Sequence, residues 1–143
     1  MIHTKYRSRK AAAAVEFAAL LPFIMFLAVI SVDWARLLYF TITLDNCARN
    51  GALYACDAEA QYKSPYTNVT AAALAEAPAL SQTPTVTQTN LADGGDGYPA
   101  VVVTVSMPFS TFTNFTYGKK FSVTKDNTLS RSVQMRVAPE APK

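Results

Sequence analysis

Few side chains in this 143-residue chain have a type and setting that suit chemistry. There is one histidine, His3, close to the N-terminus, and there are two cysteines, Cys47 and Cys56. The remaining candidate is Glu16, a carboxylate set between Ala11–Val15 and Phe17–Leu21. One histidine in a basic tail cannot build a histidine-based catalytic centre or a zinc cluster, and two cysteines cannot staple a disulfide-dense mini-protein. The acids of Asp93-Gly94-Gly95-Asp96-Gly97 do not have the spacing of an EF-hand loop, so the cluster reads as a turn. No glycine-rich phosphate loop, metal motif or nucleophile–base pairing is present in the sequence. A non-enzymatic protein without metal or cofactor is expected.

Glu16 is the costly residue. An acid in the middle of a membrane helix costs about 2.5–3.5 kcal/mol, and less near the helix ends. Two explanations stand at this point. Glu16, six residues past Lys10, snorkels to the interface; or it has a positive partner inside the membrane.

The elements that position Glu16 follow from patterning. Half the residues are apolar and 16% are charged, against roughly 25% charged in an average soluble domain. The shortfall is local: no charge lies between Phe17 and Val32. Ala11 to Ile30 makes about 30 Å of helix, the thickness of a hydrocarbon core. This run is longer than a secretory signal, and Val29–Asp33 offers no small-x-small cleavage site. Pro22 falls inside it and is expected to kink the helix, which membrane helices tolerate. The formal charge of +3 divides unevenly. Lys5, Arg7, Arg9 and Lys10 give +4 before Ala11, and the remaining nine basic and ten acidic residues give −1. A basic tail that leads straight into an apolar run sets topology and is not a nucleic-acid arm: N-terminus inside, C-terminus outside.

Past the apolar run the helix is expected to continue. Asp33 and Arg36 are three apart and can pair on one face, while Trp34, Tyr39 and Phe40 are interfacial aromatic types. Leu37, Phe40, Leu44, Cys47, Gly51 and Tyr54 form an apolar seam with 3-4-3-4-3 spacing, widened by Ala48, Ala52 and Ala55. This seam packs on the protein's own sheet, on neighbouring subunits, or on each at different heights. Cys47 and Cys56 lie about 13.5 Å apart on opposite faces of an unbroken helix. A disulfide, which needs Cα atoms within roughly 7 Å, requires a break near Asn50-Gly51. Downstream, Thr67 or Asn68 caps a short helix over 69–77 that Pro78 ends. Strands are expected over 84–89, 100–106, 121–124 and 129–137, with a polar-aromatic loop through Phe109, Phe112, Phe115 and Tyr117. A long helix followed by a small antiparallel sheet is an α+β architecture. The acceptor triplets at Asn68 and Asn114 read as chance matches.

The stretch Arg9-Lys10-Ala11-Ala12-Ala13-Ala14-Val15-Glu16-Phe17-Ala18, followed by Leu20-Leu21-Pro22, resembles the class III leader of type IV pilins. More narrowly it is similar to the TadE-like pseudopilins of tight-adherence (Tad/Flp) pilus systems. The block Asp45-Asn46-Cys47-Ala48-Arg49-Asn50-Gly51-Ala52-Leu53-Tyr54-Ala55 continues that similarity. The resemblance implies a pilin-like fold with a leader over 1–11, a helix over 12–57 and an exported domain over 58–143. Residues 12–33 would cross the membrane and 34–57 would be extramembrane and amphipathic. It also implies cleavage by a prepilin peptidase between Ala11 and Ala12, with Glu16 and Phe17 setting register and assembly. The new amine at Ala12 would then pair with Glu16 of its own chain or of a neighbour. Implied partners are the peptidase, other pilins and pseudopilins, the inner-membrane pilus platform and membrane lipid. The implied role is pilus biogenesis, surface adhesion and biofilm formation from the bacterial inner membrane, with the C-terminal domain periplasmic or carried into the pilus. Two competing readings are a pilus-tip module and an inert single-pass anchored domain. The first would bind DNA or anionic polysaccharide through Lys119, Lys120, Lys125 and Arg131, but the near-neutral charge after Ala11 disfavours nucleic acid.

The family usually has glycine where this chain has Ala11, so slower cleavage is expected, not its loss. In cells containing the peptidase, N-terminal or intact-mass analysis should find a mature chain beginning at Ala12. Ala11→Gly should keep or speed the cleavage, and a bulky residue at Ala11 should block it.

Overall fold

Ala11–Ala14 and the alanines and leucines that follow favour helix, and the helix persists past Pro22 and Gly51. In the computed structural model a single helix, α1, runs from Thr4 to Cys56 with Pro22 inside it, a rod of about 80 Å. The structure describes residues 4–78, 80, 82–111, 116–117, 121–122 and 127–139, with backbone alone for 4–10, 60 and the two-residue strands. Asp57 ends α1 by adopting an extended backbone, and its carboxylate accepts the Glu59 N–H to start α2, Ala58–Lys63. Asn68 caps α3, Val69–Leu74, by accepting the Ala71 N–H at 2.7 Å.

The strands are β1 (Thr85–Leu91), β2 (Ala100–Phe109), β3 (Thr116–Tyr117), β4 (Phe121–Ser122) and β5 (Asn127–Arg136). β1, β2 and β5 form an antiparallel sheet with β2 in the centre, and β3 pairs with β4 separately. This is the expected α+β arrangement: a long helix packed on a small antiparallel sheet.

Along β2, Val101, Val103, Val105, Met107 and Phe109 are buried, and the residues between them are more exposed. That alternation turns one face of the sheet to α1, where Leu44, Cys47, Ala48 and Ala52 are fully buried. Three contacts fix the relative direction. Phe40 meets Phe109, Gly51 lies beside Val103, and the Cys56 carbonyl accepts the Ala138 N–H. β2 therefore descends as α1 ascends, with the strands running along the helix axis.

Several boundaries differ from expectation: β1 and β5 are each displaced by one or two residues, and Tyr117 pairs with Phe121 in β3 where a loop was expected. Phe109 belongs to β2 and not to a loop, because Met107 and Phe109 continue the buried alternation and the ladder to β5 runs to Phe109↔Asn127. α3 stops at Leu74, short of Pro78; the Ala77 N–H bonds the Leu74 carbonyl in a tighter turn, as the residue before proline avoids the helical region. Phe112, Asn114, Phe115, Val123 and Thr124, together with Lys119, Lys120 and Lys125, lie outside the described residues.

Gly51 is where α1, α3 and β2 meet. A Cβ there would stand 3.1 Å from both the Ala73 Cβ and a Val103 methyl carbon. Glycine costs a helix about 0.5–1 kcal/mol relative to alanine, and the close approach offsets that cost. Gly51→Val should destabilise the domain by about 1–3 kcal/mol through overpacking, read as a lowered thermal midpoint of the detergent-solubilised protein.

Candidate functional site

From Ala11 to Val32 every residue is exposed except Ile30, which is half-buried. Large apolar side chains are left without cover: Phe17 is 60% exposed, and Leu20, Phe23, Phe26 and Leu27 are similar. A surface of this extent on one helix is what a bilayer solvates, since a helix bonds nearly all its backbone groups internally and Pro22 removes a single donor. The helix is long and apolar enough to cross a membrane once. Ala11, Ala12, Glu16, Phe17 and Pro22 all sit on this exposed stretch. Ala12 and Glu16 stand one turn apart on an unbroken helix, so an amine at Ala12 falls within reach of the Glu16 carboxylate.

The first buried side chain on the way up is polar. Asp33 is 6% exposed, and its Oδ1 lies 3.5 Å from Arg36 Nη1. The Arg36 guanidinium carbon lies 5.9 Å from the Phe40 ring centroid and 5.5 Å from that of Phe109. Phe40 and Phe109 pack edge to face at 5.5 Å. The pairing of Asp33 with Arg36 was legible from their spacing. The aromatic cover on Arg36 was not, because Phe109 comes from a strand distant in sequence.

Above this junction the seam turns inward. Leu37 and Phe40 are half-buried, while Leu44, Cys47 and Gly51 are buried against β2 and α3. Tyr54 is half-buried and donates its hydroxyl to the Tyr66 carbonyl at 3.2 Å. The chain's own sheet and α3 cover Leu44, Cys47 and Gly51, so a neighbouring subunit has no access to the seam at that height.

α1 continues unbroken through Asn50, whose side-chain amide donates to the Ala72 carbonyl. The break that a Cys47–Cys56 disulfide requires is absent, and both thiols are free. Burial pushes both thiols above their ordinary range, helped by Glu76 near Cys47 and by Asp57 near Cys56.

At the far end, the turn between β1 and β2 is held by its own acids. Asp93 Oδ1 accepts the N–H groups of Gly95 and Gly97, each at 2.8 Å, which holds its carboxyl below the usual range. Gly95 and Gly97 have φ of 102° and 80°, which suits glycine. Asp96 pairs with Arg136, whose guanidinium stacks 4.1 Å from the Tyr98 ring centroid. Among the described residues, no group of three or more His, Cys, Asp or Glu is placed to hold a metal ion. Of the four proposed basic-patch residues, Arg131 is described, exposed on β5.

Residues 11–53 match the family model described as TadE-like protein. That segment holds Glu16, the junction pair and most of the seam, so the helical part of the chain is similar to TadE-like proteins over less than a third of its full length. No curated protein and no solved structure gives a match.

The two thiols should differ in reactivity. Cys56 is half-buried and Cys47 fully buried, and the thiolate is the nucleophile. In the folded, detergent-solubilised protein, iodoacetamide should modify Cys56 first, more slowly than a free thiol at pH 8 and faster as pH rises. Cys47 should react only on unfolding. Mass spectrometry of the alkylated peptides reads both.

Proposed function

We propose that this chain is a membrane-anchored minor pilin or pseudopilin of a Tad-type pilus, with a structural role and no catalytic one. The observation that carries the reading is Glu16: an acid on an exposed, unbroken apolar helix, inside the segment that matches the TadE-like family. An unmatched carboxylate there is a standing cost. A prepilin peptidase that cleaves after Ala11 removes the four basic residues of the tail and leaves an amine at Ala12, one turn from Glu16. An ion pair that forms only in one register can specify how subunits pack.

The basic tail supports a cytoplasmic N-terminus, and the domain beyond Asp33 is then periplasmic until assembly. Other pilins, pseudopilins and the inner-membrane platform are the partners that follow. Adhesion and biofilm formation would be properties of the assembled pilus.

Glu16→Gln tests this directly. The variant should insert and be cleaved normally, yet fail to co-purify with the major pilin or enter the pilus. Glutamine keeps the shape but leaves the amine unpaired, and breaking a buried pair costs about 3–5 kcal/mol. Normal incorporation would mean that Glu16 snorkels and has no role in assembly.

A further inference from the structure

The apolar surface of α1 does not stop where the globular domain begins. On the face turned away from the sheet, Trp34, Leu38 and Ile42 follow one another at four-residue spacing, with Tyr39 beside them. They are 61%, 56%, 60% and 51% exposed. The charges at this height lie elsewhere: Asp33 is buried, and Arg36 is paired with it beneath Phe40 and Phe109. The free face carries no charge until Asp45 and Arg49, which pair with each other across one helical turn.

We infer that the outer surface of the bilayer reaches Ile42 on this face, so that α1 crosses the membrane tilted and the domain rides on its upper side. The inference rests on the membrane-anchor reading above. From Phe17 to Ile42 the helix rises about 38 Å, against a hydrocarbon core of about 30 Å. A tilt of roughly 38° brings the stretch from Phe17 to Ile42 within the core thickness, inside the observed range of 0–40°. It seats Glu16 at the inner edge of the core, where an unmatched carboxylate costs less than at the centre but is not free. The sheet does not obstruct that tilt, because it packs on the opposite side at Leu44, Cys47 and Ala48.

The residue types favour lipid over a second helix. Helix–helix contacts in membranes select small residues, and here the small residues Ala48, Gly51 and Ala52 belong to the face already taken by the sheet and α3. The free face presents Trp34 and Tyr39, which have an apolar body and a polar tip and settle at the headgroup level. An apolar helix face seated in this way penetrates roughly 5–10 Å into the headgroup–acyl boundary.

Trp34 is the only tryptophan in the chain, which makes the test optical. In a Trp34→Phe background, Leu27→Trp, Ile42→Trp and Leu53→Trp place one reporter at mid-membrane, at the inferred contact and higher on the same side. Each full-length variant is reconstituted in phosphatidylcholine vesicles with or without brominated acyl chains. The Ile42 reporter should emit to the blue of the Leu53 reporter and lose intensity in brominated lipid, as the Leu27 reporter does. If it emits like the Leu53 reporter and is not quenched, while the Leu27 reporter is, the anchor stands and the tilted seating is overturned. Blue emission without quenching means that protein covers this face, a second copy for instance, and overturns the lipid assignment. An unquenched Leu27 reporter overturns the anchor reading itself.

Discussion

An apolar helical stripe is stable only against something apolar, and α1 leaves the bilayer before its apolar residues end. The other features of the fold answer that constraint. From Ala11 to Val32 the helix is exposed on nearly every side, which suits a solvent of lipid chains. From Leu44 upward one face is covered by β2 and α3. The sheet thus takes over from the membrane, and the same helix serves as a membrane span below and as a core element above.

The exchange happens across the Asp33–Arg36 junction. The pair stands where the sheet begins to cover the helix, with Asp33 buried and Arg36 half-buried. Arg36 is less hydrated than a lysine ammonium and stacks on aromatic rings, so Phe40 and Phe109 cover it without stripping a strongly held shell. Phe40 belongs to the seam and Phe109 ends the central strand, so this contact sets where the sheet begins relative to the span. At the other end Gly51 sets how close the sheet sits: with no side chain of its own, it lets the side chains of Ala73, Val69 and Val103 close onto the backbone of α1. Position along the helix and distance from it are thus set by different residues.

Much of this was legible in the sequence for local reasons. The continuity of α1 through Cys56 follows from the 3-4 spacing of Leu37 through Tyr54, which no proline interrupts. The caps at Asp57 and Asn68 act within three residues, and Asn68 was one of the two caps expected, Thr67 being the other. The turn at Asp93–Gly97 was readable because glycines with positive φ are its requirement. What escaped depends on partners far along the chain. Met107-Pro108-Phe109 looks like the start of a polar-aromatic loop until β5 is known to pair beside it. The burial of Asp33, likewise, depends on the fold around it. The choice between the chain's own sheet and a neighbour as the cover for the seam also needed the third dimension, since periodicity states only that a face is covered. Glu16 is the reverse case. Its environment is plain in the sequence, and the purpose proposed for it concerns assembly more than the fold of one chain.

The direction of the strands has a mechanical consequence. β2 runs along α1, bonded on one side to β1 and on the other to β5. Ladder hydrogen bonds between antiparallel strands lie perpendicular to the strands. Tension along the axis of α1 that enters the sheet through one strand and leaves through its neighbour therefore acts across all those bonds at once, in shear. A sheet laid crosswise to the helix would have its bonds loaded one pair at a time, and would unzip. The edge-to-face rings of Phe40 and Phe109 sit at the membrane-side end of that load path, and Cys56 holds Ala138 at the other. A domain built this way is stiffest along the axis of α1.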